Sequence, residues 1–337
     1  MMRIGLSMFG TTYTMGLHPR AGIPPMTADT LLDTALEAGL QGMELSASRL
    51  AGLPSIELDQ LAAKAEARNF YITVATDGFD PIRLNEAFVL AKAVGARVVR
   101  TVAGGAKFGG DRRHLSGKWQ SFMEEVRSGL TAATALAEEA GVILALENHQ
   151  DLCSEELIAL CESIGSPSFG ITLDTGNPLA TAEEPIAFAR KIAPYIKHVH
   201  LKDYWMYPTS EGYMLVRCPI GQGAVDFPAL MAILRNVPQP PDMSIEIGAL
   251  EGRHTRVLED DYWPEYPARS AQQLAELLRF ASRHFKPATD WRTPHERGEP
   301  AAAVIAYERS QLMSSIAYAH QLMHLIQATT EEQEALP

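Results

Sequence analysis

Four consecutive apolar runs in this chain each end on a residue able to ligate a metal. They are Glu147 in VILALENHQD, Asp174 in FGITLDTGNP, His200 in IKHVHLKDY and Glu246 in MSIEIGALE. Each run has the length and make-up of a buried strand. A buried carboxylate without a partner is costly, and three in equivalent places require a common cause, which one divalent cation would supply. Side chains alternate faces along a strand. Val142, Leu144 and Leu146, then Phe169, Ile171 and Leu173, then Val199 and Leu201, then Met243, Ile245 and Ile247 share the apolar faces, and each candidate ligand lies on the opposite one. In three runs the residue two before the ligand is small (Ala145, Thr172, Ser244). Ligands from four successive strands converge if the sheet closes into a barrel, whereas an open doubly wound sheet binds at one switch point.

The rest of the chain fits a closed sheet. Strand-like segments at 3–8, 42–46, 71–76, 97–102, 142–147, 169–174, 196–201 and 243–247 alternate with helix-like segments. The helices are predicted near 28–39, 57–68, 82–94, 119–140, 154–164, 183–193, 227–235 and 269–284. Thr27 caps the first, and Gly39 and Gly95 fall where helices should stop. Eight such units make an α/β chain with a (β/α)8 TIM barrel over 1–285, whose C-terminal rim would carry all four ligands. Residues 286–337 form an extended connector and a helix with an apolar stripe at Ile305, Leu312, Ile316, Met323 and Ile326. That stripe must be buried, either on this chain's barrel or against a second subunit. Residues 203–226 read as a long loop, ordered over the site by Tyr204, Trp205, Tyr207 and Tyr213. GGAKFGG at 104–110 reads as a flexible rim loop.

Composition narrows the partners. A net charge of −12 argues against nucleic acid or an anionic membrane, and no apolar stretch is long enough to span a bilayer. Three cysteines (Cys153, Cys161, Cys218) give no disulfide framework, and no signal-peptide pattern precedes the first strand, so a cytoplasmic setting is expected.

LALENH, TLDTGN, HVHLKD, the IGQGAVDF turn and SIEIG together resemble the xylose isomerase-like TIM barrels, the superfamily of sugar (phosphate) isomerases and epimerases. The resemblance covers roughly 1–285. It implies a single divalent metal held by Glu147, Asp174, His200 and Glu246, with the two glutamates as acid and base on a keto-sugar. His149, the longer loop carrying Arg217 and the C-terminal extension resemble the large subunit of the C-glycoside deglycosidases, which implies β-elimination from a 3-oxo-glycoside and a small companion subunit. Endonuclease IV is similar at LE and LDT, but its trinuclear zinc site needs imidazoles absent from DTGNP and from the ends of strands two to four.

The chemistry of this set is proton abstraction next to a carbonyl. Returning the proton epimerises or isomerises the sugar; losing a β leaving group is elimination, for which a third acid or base is useful. His149 is placed for that role, or else hydrogen-bonds a ligand. Glu147, His149 and Glu246 are therefore the catalytic candidates, and Asn177, Lys202 and Arg217 the substrate-binding ones. Lys202 could instead pair with an acid, Arg217 could be a solvated charge, and Asp203 could cap the loop. His198 lies deeper and reads as structural, while Glu44 ends strand two and could face the lumen. A non-catalytic, sugar-binding barrel is the remaining class. An oxygen-rich set with one imidazole suits Mn²⁺ first, with Mg²⁺, Co²⁺, Fe²⁺ or Zn²⁺ as alternatives.

Overall fold

Eight parallel strands close into a barrel in a computed structural model that describes residues 2–287 and 290–334, with side chains in the last helix described as far as His324. In chain order they are β1 (Ile4–Ser7), β2 (Gly42–Ser46), β3 (Tyr71–Ala75), β4 (Val98–Val102), β5 (Ile143–Glu147), β6 (Phe169–Asp174), β7 (Ile196–Leu201) and, after a two-strand insertion, β10 (Asp242–Ile245). β10 pairs with both β7 and β1 and seals the ring. The helices are α1 (Ala28–Glu37), α2 (Ser55–Glu66), α3 (Pro81–Ala93), α4 (Trp119–Ala140), α5 (Ser154–Ile164), α6 (Pro185–Ile192), α7 (Phe227–Leu234), α8 (Ala271–His284) and α9 (Ala301–Glu334). The Thr27 side chain accepts from Thr30 N–H and starts α1. Gly141 and Gly165, both left-handed, stop α4 and α5.

The outward strand faces are the core. Leu144, Leu146, Ile171, Leu173, Val199 and Leu201 are essentially fully buried, each contributing about 1.5–3 kcal/mol. The lumen is built differently. Tyr71 lies across its floor and donates to the Met243 carbonyl at 2.6 Å. Gly5 and Gly42 make this possible, since a Cβ on Gly42 would come within 2.0 Å of the ring and one on Gly5 within 2.4 Å of the hydroxyl. Above that floor the lumen is polar, with Glu44, Arg100, Glu147, Asp174, His198 and His200 all buried.

Two segments depart from the sequence reading. The expected loop 203–226 is largely a hairpin, β8 (Asp203–Thr209) and β9 (Gly212–Cys218), extended by β11 (Arg253–Thr255) into a small antiparallel sheet. Its apolar side buries Met206, Tyr213 and Leu215. Asp203 does cap it: its carboxylate accepts the N–H groups of Tyr204, Gly221, Gly223 and Val225. GGAKFGG is pinned. Asp151 accepts from Gly104 and Gly105, Gln150 accepts from Gly109, and a Cβ on Gly109 would sit 2.1 Å from the His254 carbonyl oxygen.

Of the two placements expected for the C-terminal stripe, α9 takes the first and packs on its own barrel. Leu312, Ile316, Ala319 and Leu322 join the main core, Met323 packs beside it, and Ile305 lies against Tyr13, Leu250 and Val304. Ile326 falls outside the described side chains. Glu308, fully buried, accepts from the backbone N–H groups of Thr12, Tyr13 and Thr14 in the β1–α1 loop. Among the described residues no helix is long and apolar enough to cross a membrane.

Candidate metal centre

Closing the barrel brings Glu147 from β5, Asp174 from β6, His200 from β7 and Glu246 from the end of β10 together. One ligand atom of each lies within 4.8 Å of the others, and all four residues are buried. Register does this: Asp174 pairs with His200, and His200 with Ser244, two residues before Glu246. Glu246 lies just past its strand and is held by its own N–H, which donates to the Leu201 carbonyl at 3.1 Å.

The donor atoms fit a cation. Among the described residues, both Glu147 oxygens, Asp174 Oδ2 and His200 Nδ1 are buried without a hydrogen bond, and a cation would complete an arrangement that otherwise leaves buried charge only partly compensated. Lys202 Nζ stands 2.7 Å from Asp174 Oδ2 and 2.6 Å from Glu246 Oε2, and Arg100 Nε 3.1 Å from Glu147 Oε2. Four carboxylates, counting Glu44, face these two cations; with His200 neutral that leaves two negative charges, which one divalent ion would neutralise. Burial, opposed by Lys202 and reinforced by the Glu246 and Glu147 charges, pushes the Asp174 carboxyl up to about 7. For Glu147, burial is outweighed by Arg100 and His200, and the carboxyl is held well below its ordinary range.

His200 is oriented by a residue on the far side of the lumen. Its Nε2 lies 2.6 Å from Glu44 Oε2, which turns Nδ1 toward Glu147 (3.5 Å) and Glu246 (3.6 Å). Against burial, Glu44 and Glu147 push the imidazole up to about 10, so a cation arriving at Nδ1 displaces a proton. Arg100, on β4, bridges Glu44 and Glu147. His198 sits one layer deeper between Ser244 (3.2 Å) and Glu44 (3.4 Å). Glu44, His198 and His200 also cluster, but their facing atoms already bond one another.

A cavity of about 380 Å³ opens above this group, lined by Glu246, Lys202, His149, Asn177, Tyr204 and Arg253 among others. Asn177 presents its buried Nδ2 without a partner, while its Oδ1 accepts from Gln150. The His149 ring hydrogen-bonds none of the ligands among the described residues and instead stands edge-on to Phe108. Asn148 clamps the two neighbouring strand ends by accepting from Asp174 N–H and donating to its carbonyl. Arg217 is placed elsewhere. Its guanidinium is buried against Glu308 (3.3 Å) and the Ile247 carbonyl (3.2 Å), neither solvated nor lining the cavity. The hairpin causes this, since register with Tyr204 turns Arg217 toward α9. Of the four loop aromatics only Tyr204 reaches the cavity.

Glu44 was legible only as a possible lumen residue, and Arg100, Asn148 and Arg253 went unread. A charge inside the apolar run VVRTV was the signal that could have found Arg100.

The profile of a family described as xylose isomerase-like TIM barrel matches residues 32–279. The chain is 27% identical over 209 residues to the uncharacterized protein YihM of Escherichia coli (strain K12), covering 60% of this chain and 61% of that protein. It is 24% identical over 239 residues to the 3-oxo-isoapionate decarboxylase of Pectobacterium atrosepticum, covering 69% of this chain and 81% of the enzyme. Among solved structures an L-ribulose 3-epimerase superposes over 99% of both chains with a TM-score of 0.60 at 16% identity, a likeness of fold.

Proposed function

The chain belongs to the xylose isomerase-like TIM barrel family, and we propose that within it the protein is a divalent-metal-dependent lyase acting on an oxo-sugar or 3-oxo-glycoside. The observation that carries this is the buried Glu147, Asp174, His200 and Glu246 group, its facing atoms partnered only in part by Lys202 and Arg100, at the floor of a cavity that His149 also lines. The four residues would hold the cation, and Mn²⁺ suits their donor set. When bound, it would polarise the substrate's carbonyl oxygen and so favour loss of the neighbouring proton.

The protein's own groups do the rest. Glu246 borders the cavity and takes the proton from the carbon beside the carbonyl, and the Lys202 ammonium 2.6 Å away steadies its charge. His149 donates a proton to the group leaving the β carbon, which needs an acid separate from the base. Asn177 Nδ2 donates to a sugar hydroxyl. A relative that is a decarboxylase of a 3-oxo compound supports this class, because it too removes a group from an oxo substrate.

A second reading has its own observation. Glu147 Oε2 and Glu246 Oε2 lie 3.5 and 3.6 Å from the same His200 Nδ1 on different strands. Two carboxylates flanking one point suit an epimerase or isomerase that moves the proton between faces or carbons. Full-length protein with Mn²⁺ should be screened against 3-oxo-glycosides and free ketoses in D₂O. Released aglycone supports the lyase, and deuterium uptake with a changed sugar supports the epimerase. Silence toward both sets refutes catalysis on such substrates and leaves a sugar-binding barrel.

A further inference from the structure

Among the described residues the buried arginines are hydrogen-bonded to a carboxylate, with one exception. Arg100 meets Glu44 and Glu147, Arg112 meets Glu156, and Arg217 meets Glu308. Arg253, at the start of β11, is only 8% exposed and lines the cavity above the ligand group. Its guanidinium makes no hydrogen bond among the described residues, and its Nε is buried without a partner. The nearest acid is Glu251, 3.9 Å from Nη1, whose side chain is half exposed to water. The Phe108 ring, 3.2 Å from the guanidinium carbon, covers one face, so the plane is fixed while the donor edge is free. Desolvating a guanidinium without an anion is expensive, and a structure tolerates it where a ligand supplies the counter-charge.

The charge at the cavity floor does not supply it. The four carboxylates there are matched by Arg100, Lys202 and the divalent ion that the group accommodates. Arg253 is the positive charge left over, on the cap sheet rather than in the barrel. A fixed fork of N–H donors matches the paired oxygens of a carboxylate or phosphate.

We propose that the substrate of this cavity carries an anionic group, a carboxylate or a phosphate, and that Arg253 binds it. This rests on the cavity being the substrate site, as proposed above. The neutral remainder of the substrate then reaches Asn177 and the metal group, so Arg253 sets which sugars enter and in which direction.

The test uses three probes that differ at one end: D-gluconate, D-glucitol 6-phosphate and neutral D-glucitol. Binding to the full chain is measured by calorimetry with and without Mn²⁺, for wild type, Arg253→Met and Arg253→Lys. Methionine keeps an apolar stem on Phe108 and lysine keeps the charge. Expected is a preference of about ten- to hundredfold for one anionic probe over D-glucitol, lost in Arg253→Met and partly restored in Arg253→Lys, with Mn²⁺ affinity unchanged. Preference for D-gluconate identifies a carboxylate, and preference for D-glucitol 6-phosphate a phosphate. Equal binding of all three, no binding of any, or a preference that survives Arg253→Met overturns the proposal. Mn²⁺ uptake is read in the same titrations, so a failed metal centre is seen separately from a failed anion site.

Discussion

Glu308→Gln should destabilise the protein far more than a change of one atom suggests. Glu308 is fully buried, and its two oxygens serve six contacts. Oε2 accepts from Tyr13 and Thr14 N–H, both at 2.8 Å, and from the Thr14 hydroxyl at 3.2 Å. Oε1 accepts from Thr12 N–H at 3.1 Å and faces both terminal nitrogens of Arg217 at 3.3 and 3.4 Å. An amide retains one acceptor and turns a donor on either the backbone N–H groups or the guanidinium. Stranding one charge of a buried pair costs about 3–5 kcal/mol, and an unsatisfied buried N–H about 1–3 kcal/mol more. Allowing for relaxation, a loss of about 4–6 kcal/mol is expected. An unfolding entropy of roughly 2.1 cal/mol/K per residue converts this into a drop in Tm of about 6–9 °C. Differential scanning calorimetry of the full chain measures it. Adding Arg217→Met removes the stranded charge and should recover part of the loss, a coupling that a double-mutant cycle isolates. A drop under about 2 °C, or a double variant no better than Glu308→Gln alone, would refute the argument that this carboxylate holds α9 and the β1–α1 loop together.

Glu246→Gln should lower Mn²⁺ affinity and abolish turnover while leaving the fold intact; full metal content together with full activity would remove Glu246 from the ligand set. His149→Ala should reduce turnover by about 10²–10⁴-fold with Mn²⁺ affinity unchanged, since its ring bonds no ligand; an unchanged rate on the true substrate, titrated against Mn²⁺, would exclude it from proton transfer. Mn²⁺ must displace the His200 proton at pH values below about 10 and the Asp174 proton below about 7, so affinity rises with pH. Calorimetry in buffers of differing ionisation enthalpy should show close to two protons released at pH 6 and close to one at pH 8.5; a pH-independent release near zero contradicts the proposed ligands. Truncation after Lys286 removes Glu308, Leu312 and Ile316, so the shortened chain should expose apolar surface and associate in light scattering; unchanged stability, solubility and assembly state would show that the segment neither braces the barrel nor meets a second subunit.

The convergence of the four candidate ligands was legible because its cause is local. Alternation along VILALE, FGITLD and IKHVHL fixes which face each residue takes, and the apolar faces fix which way that face points. Helix limits were legible for the same reason, through caps such as Thr27 and stops such as Gly39 and Gly95. What escaped depends on closure. Glu44 reaches His200 from 156 residues away, and Glu308 reaches Tyr13 from 295, distances at which no spacing rule operates. The hairpin was legible in principle. DYWMYPT and GYMLVRC flank a Ser-Glu turn, but the aromatic content drew the reading toward a loop. Arg217 then misses its expected place, because the hairpin's register sends it to α9, while β11 brings Arg253, which no motif singled out, to the cavity.

That hairpin leaves the barrel and returns to it at one carboxylate. Asp203 gathers the N–H groups of Tyr204, Gly221, Gly223 and Val225, so both ends of the insertion are fastened to one carboxylate before the strands project outward. A Cβ on Gly223 would lie 2.2 Å from Asp203 Oδ1, which reserves that position for glycine. Closing entropy grows slowly with loop length, so the hairpin can be lengthened at its Ser210–Glu211 turn at little cost to the eight-stranded ring, provided Arg217 keeps its pair with Glu308. The candidate metal-binding set belongs to the ring, and the cavity wall made by Tyr204 and Arg253 belongs to the hairpin sheet.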